Sequence, residues 1–321
     1  MKMKENFFGR FVPGIAALFL IALVAYPAKA QLGAGYIRID APAAKSTTAF
    51  GINNDGKIVG TYYDSTGLGH GFLRSEDGRF TTIDHPLALQ VNGFGTEARG
   101  INAEGVIVGD YCAAPPCDGV SVIKGYVLKR SADDQRDPDG PFDKDDFKTL
   151  QTPHHVNSYL QRINSDGDIV GFEHDTDTMA TLHGIVREDS QVVRLPIPFS
   201  MNNGINAQGD VDGFFFDMTA NRAHGYLLRK GSLMLIDFPG AGGTLAWDIN
   251  DRGQIVGFYD SKGVAPRGFI WDGGKFTSVI IPGALSTVVF GINSAGDVVG
   301  QFNDTTGGHG FLLRTKPDEK E

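Results

Sequence analysis

The sequence predicts an all-β fold, a six-bladed β-propeller with four-stranded blades, on three observations. The first is a repeat. An Ile-Asn pair, a turn containing Gly and a short apolar run ending in Gly recur six times. The copies lie at Ile52-Asn53, Ile101-Asn102, Ile163-Asn164, Ile205-Asn206, Ile249-Asn250 and Ile292-Asn293, at spacings of 49, 62, 42, 44 and 43 residues. A period of about 40–45 residues is how propeller blades appear in sequence. The second is composition. The 321 residues include 43 Gly, and no long helical period follows residue 30, which favours many short strands joined by turns. The third is a strand missing at one end and spare at the other. The last copy stops at Phe311-Leu312-Leu313-Arg314. Near the start, Tyr36-Ile37-Arg38-Ile39-Asp40-Ala41-Pro42 matches the fourth strand of the first copy, Phe80-Thr81-Thr82-Ile83-Asp84-His85-Pro86. The N-terminal strand is therefore expected to complete the last blade and close the ring, which removes an open sheet edge.

Residues 1–30 read differently. Lys2, Lys4 and Arg10 precede an apolar run from Phe11 to Tyr26, and Ala28-Lys29-Ala30 is a small-x-small site. This is the pattern of a Sec signal peptide cut after Ala30. The 16 apolar residues fall short of the roughly 20 that a spanning helix needs. The propeller is expected over 31–314, and residues 315–321 read as a disordered charged tail.

Within a blade, strand a ends at the Ile-Asn pair. The turn after it holds a Gly, as at Asp55-Gly56 and Asp166-Gly167, because positive φ is needed there. Strand b is the apolar run, Lys57 to Tyr63 in blade 1. Strand c opens at His70-Gly71-Phe72-Leu73, and a turn at Glu76-Asp77-Gly78 leads to strand d, Arg79 to Asp84. Pro86 ends it, since proline has no N–H for a ladder. The blades cover about 49–86, 99–153, 160–198, 202–239, 245–282 and 288–314. Blade 2 carries two insertions, a Cys-containing loop between strands b and c and Ser131 to Asp146 between c and d.

Removing residues 1–30 takes four basic residues (Lys2, Lys4, Arg10, Lys29) and one acid (Glu5) from a formal net charge of −9, leaving −12. That balance argues against nucleic acid and anionic lipid as partners. The two cysteines, Cys112 and Cys117, are expected to form a disulfide in an exported chain.

The triplets His70-Gly71-Phe72, His309-Gly310-Phe311, His224-Gly225-Tyr226 and His183-Gly184-Ile185 each follow a Gly-terminated apolar strand. The chain resembles the bacterial extracellular HAF-repeat family, named for a His-Ala-Phe triplet, with Gly here in place of Ala. The resemblance spans nearly all of 36–314. Blades 2 and 5 depart from it with Lys124-Gly125-Tyr126 and Arg267-Gly268-Phe269. It implies an exported repeat protein and transfers no catalytic residue.

Repetition also separates scaffold from site. His70, His183, His224 and His309 occur one per blade. They are expected to tie loops to blades rather than converge on a metal, with Asp64, Asp217, Asp260 and Asp304 as partners or loop caps. Each repeated Asn is expected to bond its own turn. Residues that break the repeat are better candidates. Four copies have Gly before the Ile, but blade 3 has Arg162 and blade 5 has Asp248. Five copies have Val in strand b, but blade 4 has Asp212. A buried charge there needs a partner, and an Arg162–Asp212 ion pair is expected. A ligand site using Arg162, Asp212, Trp247 and Asp248 is the sharper alternative. His154-His155 with Glu173-His174-Asp175 matches no metal motif. The acidic run Asp137-Pro138-Asp139-Gly140 with Asp143, Asp145 and Asp146 lacks the register and terminal Glu of an EF-hand.

The longer, varied b–c and d–a loops share one face, which is the expected working face. The functional expectation is an exported, monomeric, non-catalytic module, periplasmic or extracellular. It would bind a small molecule, glycan or protein and need no cofactor or metal. The alternatives are a hydrolase or lyase on extracellular glycans using Asp212 and Asp248, and a structural envelope protein. Exposed aromatics at the loop-face opening (Trp247, Phe50, Phe290) would favour binding, a pocket with two acids of divergent protonation would favour an enzyme, and an opening plugged by apolar side chains would favour the structural protein.

Overall fold

The computed structural model describes residues 31–32, 35–89, 93–115, 122–131, 136–150, 157–175, 181–189, 191–261 and 264–315. The signal-peptide segment, Cys117, the His154-His155 pair and the end of the tail lie outside them.

Two short strands, β1 (Gln31–Leu32) and β2 (Ile37–Ile39), precede the first repeat. Blade 1 is β3 (Ser46–Ile52), β4 (Ile58–Tyr63), β5 (Gly69–Arg74) and β6 (Phe80–Ile83). Blade 2 is β7 (Thr96–Ile101), β8 (Ile107–Cys112), β9 (Ile123–Leu128) and β10 (Phe147–Leu150). Blade 3 follows as β11 (Asn157–Ile163), β12 (Ile169–His174), β13 (His183–Glu188) and β14 (Gln191–Pro198). Blade 4 is β15 (Ser200–Ile205), β16 (Val211–Asp217), β17 (Arg222–Arg229) and β18 (Ser232–Ile236). Blade 5 is β19 (Gly243–Ile249), β20 (Ile255–Ser261), β21 (Val264–Asp272) and β22 (Lys275–Val279). Blade 6 is β23 (Ser286–Ile292), β24 (Val298–Asp304) and β25 (Gly307–Leu313), with β2 as its fourth strand. The fold is a six-bladed propeller. Ring closure is antiparallel, with Ile37 opposite Leu312 and Ile39 opposite Gly310, as the spare strand predicts. The sequence did not announce β1. It lies parallel to β22, with Gln31 opposite Ser278, and gives blade 5 a fifth strand.

One local device repeats in all six blades. Strand a gains one extra residue against strand b, at Phe50, Arg99, Gln161, Asn203, Trp247 and Phe290. Such a bulge bends the strand and takes one residue out of the ladder. It also explains the Gly that ends each apolar run. A Cβ on Gly60 would overlap the Thr48 carbonyl, and Gly109, Gly171, Gly213, Gly257 and Gly300 face the equivalent carbonyl in their own blades.

The core is divided among blade interfaces. Leu227, Ile236 and Phe238 of blade 4 pack on Ile249, Ile255 and Phe269 of blade 5. Val256, Ile270 and Val279 meet Val289, Val298 and Phe311 of blade 6. Val299 and Leu312 meet Ala49, Ile58 and Phe72. Four of the six interfaces are stitched by the same polar contact as well. A Thr at the start of strand a accepts the N–H of a residue leaving the preceding blade: Ala41 to Thr47, His85 to Thr96, Phe238 to Thr244 and Ile281 to Thr287, at 2.9–3.1 Å.

The repeated asparagines do more than bond their own turns. Their Oδ1 atoms accept turn N–H groups, as in Asp55 and Lys57 to Asn53. Their amides also reach across to the next blade. Asn53 donates to the Asn102 carbonyl, Asn102 to Asn164, Asn164 to Asn206, Asn206 to Asn250, Asn250 to Asn293 and Asn293 to Asn53, at 2.9–3.4 Å. The result is a closed hydrogen-bonded ring around the axis.

Candidate functional site

Strand a is the innermost strand, so its side chains decide what fills the axis. Arg162 fills it at the level just inside the asparagine ring. The bulges free backbone carbonyls there, and the guanidinium collects them. It donates to Arg99 O (2.6 Å), Gln161 O (2.8 Å), Phe50 O (2.6 Å) and Phe290 O. The donors thus reach blades 1, 2, 3 and 6. The Nε sits 3.1 Å from Asp248 Oδ2 of blade 5, and that oxygen also accepts the Ile292 N–H at 3.0 Å. The expected Arg162–Asp212 ion pair is therefore corrected to Arg162–Asp248. Arg162 and Asp248 occupy the same strand-a position and face each other over the axis. Asp212 stands one strand back, on β16.

Asp212 is fully buried, and neither of its carboxyl oxygens has a hydrogen-bond partner. It packs over Gly204, where a Cβ would overlap its Oδ1. Burial pushes its pKa well above the ordinary carboxylate range. The charge of Asp248 adds to that, and Arg162 opposes it. Asp248 is also raised by burial, again opposed by Arg162.

Arg162 divides the axis into two ends. On the a–b turn side lies a funnel of about 580 Å³, counted out to its open mouth. Asn53, Asn164, Asn250, Arg162 and Asp248 are among its lining. Its polar groups are largely committed to one another. The six amides form the ring, and at the rim Asp251 accepts from Ala207 N and Ser294 Oγ, both at 2.9 Å.

On the loop side, three positions per blade face the axis: the bulge residue, the residue two before it, and the residue after the strand-b Gly. Blades 4–6 fill them with Met201, Phe214, Leu245, Trp247, Phe258, Val288 and Phe290, together with Asn203 and Gln301. The rings touch. Trp247 packs edge-on to Phe290 at 5.0 Å between centroids, Trp247 lies 5.6 Å from Phe258, and Phe290 lies 5.1 Å from Phe50. Phe50 and Phe290, expected to be exposed, are buried; Trp247, Phe214, Phe258, Met201 and Leu245 are half-buried, and the Trp247 indole N–H has no partner.

Blade 2 is the exception. Its three positions hold Glu97, Arg99 and Asp110. Arg99 pairs with Glu97, lies 3.5 Å through Nε from Asp110 Oδ2, and stacks its guanidinium 4.4 Å from the centre of the Phe50 ring. At 3.5 Å that contact is too long for a good hydrogen bond. Both Asp110 oxygens and Arg99 Nε lack hydrogen-bond partners. Burial raises Glu97, with Arg99 opposing. Burial raises Asp110 well above the usual range; Arg99 opposes and Glu97 adds. Tyr63, from blade 1, is pushed up to about 12, by burial first and then by Glu97. This charged sector was missed at the sequence level. The signal was available: the test for broken repeats that singled out Arg162 and Asp212 finds Glu97, Arg99 and Asp110 when applied to these three positions.

The other candidates fall into scaffold roles. His70, His224 and His309 bond through Nδ1 to Asp84, Asp237 and Asp40 at the end of strand d, at 2.7–2.8 Å. Asp64, Asp217 and Asp304 cap loop N–H groups of Thr66, Thr219 and Thr306. The acidic insertion of blade 2 straps onto blade 1: Asp139 meets Lys57 at 2.6 Å, and Asp137 meets Arg79 at 2.9 Å. Asp143 and Asp146 are held by Arg136. Glu173 pairs with Arg194, and buried His174 donates to the Asp175 carbonyl at 2.7 Å. Among the described residues, no group of three or more His, Cys, Asp or Glu side chains is placed to hold a metal ion, and no helix is long and apolar enough to cross a membrane. Cys112 is buried, and its expected partner lies outside the described residues.

No protein-family model matches the sequence, and no curated protein matches it. Solved structures match by shape. TolB from Acinetobacter baumannii superposes with a TM-score of 0.54 at 12% identity, over 81% of this chain and 64% of that one. The chain therefore spans less than two thirds of that TolB chain. The Aleuria aurantia lectin, described as a six-bladed β-propeller with a novel fucose recognition mode, gives 0.45 at 13% identity, over 85% and 98%. The β-propeller domain of the trilobed protease from Pyrococcus furiosus gives 0.47 at 12% identity, over 85% and 95%. At these identities the likeness concerns fold alone.

Proposed function

We propose that the chain is an exported, monomeric binding module that takes its ligand on the b–c and d–a loop side of the axis. The observation that carries this is the asymmetry of the axial lining, with an aromatic and apolar wall on blades 4–6 and one charged sector on blade 2. A purely structural ring gains nothing from burying Glu97, Arg99 and Asp110 with acceptors left unmet, since an unmet buried polar group costs about 1–3 kcal/mol. Large apolar side chains also stand exposed on the loops and strand ends of this face, at Leu87, Phe216, Met218, Val264 and Leu285. The turn-side funnel is the weaker candidate because its polar groups already satisfy one another. Membership of the HAF-repeat family, cleavage after Ala30, the Cys112–Cys117 disulfide and a periplasmic or extracellular location belong to the same proposal. Arg162 and Asp248 form the floor of the site, and Trp247 stands in its wall.

Tryptophan emission tests the reading. The chain has two tryptophans, so Trp271→Phe leaves Trp247 as sole reporter. A mixed panel of saccharides, peptides and amines is screened for a shift in its emission. A shift abolished by Arg99→Met supports the loop-side site. Ligands that bind without touching Trp247 emission and survive that substitution would place it elsewhere.

A second reading, a hydrolase or lyase, is favoured by one feature: two buried acids, Glu97 and Asp110, on one guanidinium. They take the place expected of Asp212 and Asp248, which are held at the plug. Turnover of aryl glycosides that disappears in Glu97→Gln would establish it.

A further inference from the structure

The chemistry of the loop-side cup restricts its ligand further. Asp110 has two buried oxygens without a well-formed hydrogen bond, and the Arg99 Nε–H stands beside them, 3.5 Å from Oδ2, as an ion pair. Acceptors and a donor therefore stand together, with Tyr63 of blade 1 near the same cluster. Facing them across the axis is a surface of rings and aliphatic side chains, in which Trp247 carries a further unpartnered N–H. A ligand that satisfies both sides needs groups that donate and accept at once on one edge, and an apolar face on the other.

We infer that the cup binds a neutral saccharide, with ring hydroxyls on Glu97, Arg99 and Asp110 and a C–H face against Trp247. This rests on the loop-side reading above. A hydroxyl both gives and takes a hydrogen bond, so it can meet Asp110 and Arg99 together. An ammonium group only donates, and Arg99 repels it at the same spot. A carboxylate or phosphate would meet Arg99 but would face Glu97 and Asp110. A purely apolar ligand would leave the Asp110 oxygens buried without a well-formed hydrogen bond, at the cost that makes such burial rare. Aromatic side chains offer the flat apolar surface that the C–H face of a sugar ring covers, with the indole N–H at its rim.

The test uses the mature full chain with Trp271→Phe. Methyl glycosides of neutral hexoses, 6-deoxyhexoses and N-acetylhexosamines form one arm. Spermidine and lysine amide form the other. Binding is followed by calorimetry and by Trp247 emission. The expected result is that neutral glycosides bind and shift the emission, while the cations do not. Asp110→Val and Trp247→Leu should weaken binding by about 10-fold or more, the size of one lost buried hydrogen bond or stacking contact. Asp110→Asn and Glu97→Gln should retain most of it, because an amide still gives and takes hydrogen bonds. Melting curves of each variant check that the ring is intact, and the amide variants serve where a larger change unfolds it.

Shifts produced only by the cations, and lost in the amide variants, would overturn the saccharide assignment and leave the loop-side site standing. Glycosides that bind with Trp247 emission unchanged and all variants unaffected would overturn both. Silence from every neutral glycoside would overturn the saccharide assignment alone, since the mixed panel judges the site independently.

Discussion

Arg162 carries more of this molecule than any other side chain. It satisfies four backbone carbonyls that the bulges take out of their ladders, and it balances a buried carboxylate. Arg162→Met keeps much of the volume and removes every donor, leaving Asp248 buried and uncompensated. Such losses cost about 3–5 kcal/mol, and urea unfolding of the variant should show a loss of that size. Asp212 makes a different prediction, one of pH. Its folded pKa is raised, so the folded chain holds the proton after the unfolded chain has released it. Stability from this group is therefore full below the unfolded value, about 4, and is lost as pH rises toward the folded one. Asp212→Asn should remove that decline. Unfolding curves from pH 4 upward would show the variant gaining on the wild type; parallel curves would refute it. Broken repetition marked Arg162, Asp212 and Asp248 as charges on covered strands, and all three are buried. It did not pair them correctly, because strand membership says which positions are equivalent but not which side chains meet across an axis.

At the scale of elements, the tight a–b turn and the asparagine ring are one device. The same amide shapes its own turn and clasps the next blade. Asn206→Ala removes acceptors for Gln208 N and Asp210 N and the donor to Asn250 O. A loss of about 1–3 kcal/mol is expected. Asn53→Asp should cost less than Asn53→Ala, since it keeps the acceptors for Asp55 N and Lys57 N and loses the donor to Asn102 O. Equal losses in chemical unfolding would mean that the cross-blade bond carries the whole effect. The turn half of this role was legible in the sequence, because Asn three residues before Gly is local chemistry. The clasp was not, because it joins residues 42–62 apart, and in one case 240 apart. The acidic insertion of blade 2 gives a third case. Its aspartates already face Lys57, Arg79 and Arg136. Added Ca²⁺ should leave the melting temperature unchanged, and a rise would show that the ion displaces those side chains.

The whole molecule is a ring closed by β2 against the last strand, β25. Loss of residues 31–42 exposes the edge of β25 and opens the interface that Val299 and Leu312 make with Ala49 and Ile58. An open edge of this kind pairs with other chains, so a broad, early melt and higher-order species in size-exclusion chromatography are expected. Loss of Gln31 and Leu32 alone should leave a sharp transition and a monomer, since β1 only adds to the outside of blade 5. If the two deletions behave alike, β1 rather than β2 holds the ring.

The sequence by itself determined the number of blades, their four strands, the closing strand and the separation of scaffold from broken repeat. These follow from period, turn chemistry and strand count, all of which act between near neighbours in the chain. Only the tertiary structure decided what occupies the axis. Arg162 as plug, Asp248 as its partner, and Glu97, Arg99 and Asp110 facing a wall of aromatics are arrangements among six blades. Closing the ring brings to one axis side chains more than a hundred residues apart, and a pattern read along the chain carries no record of that distance.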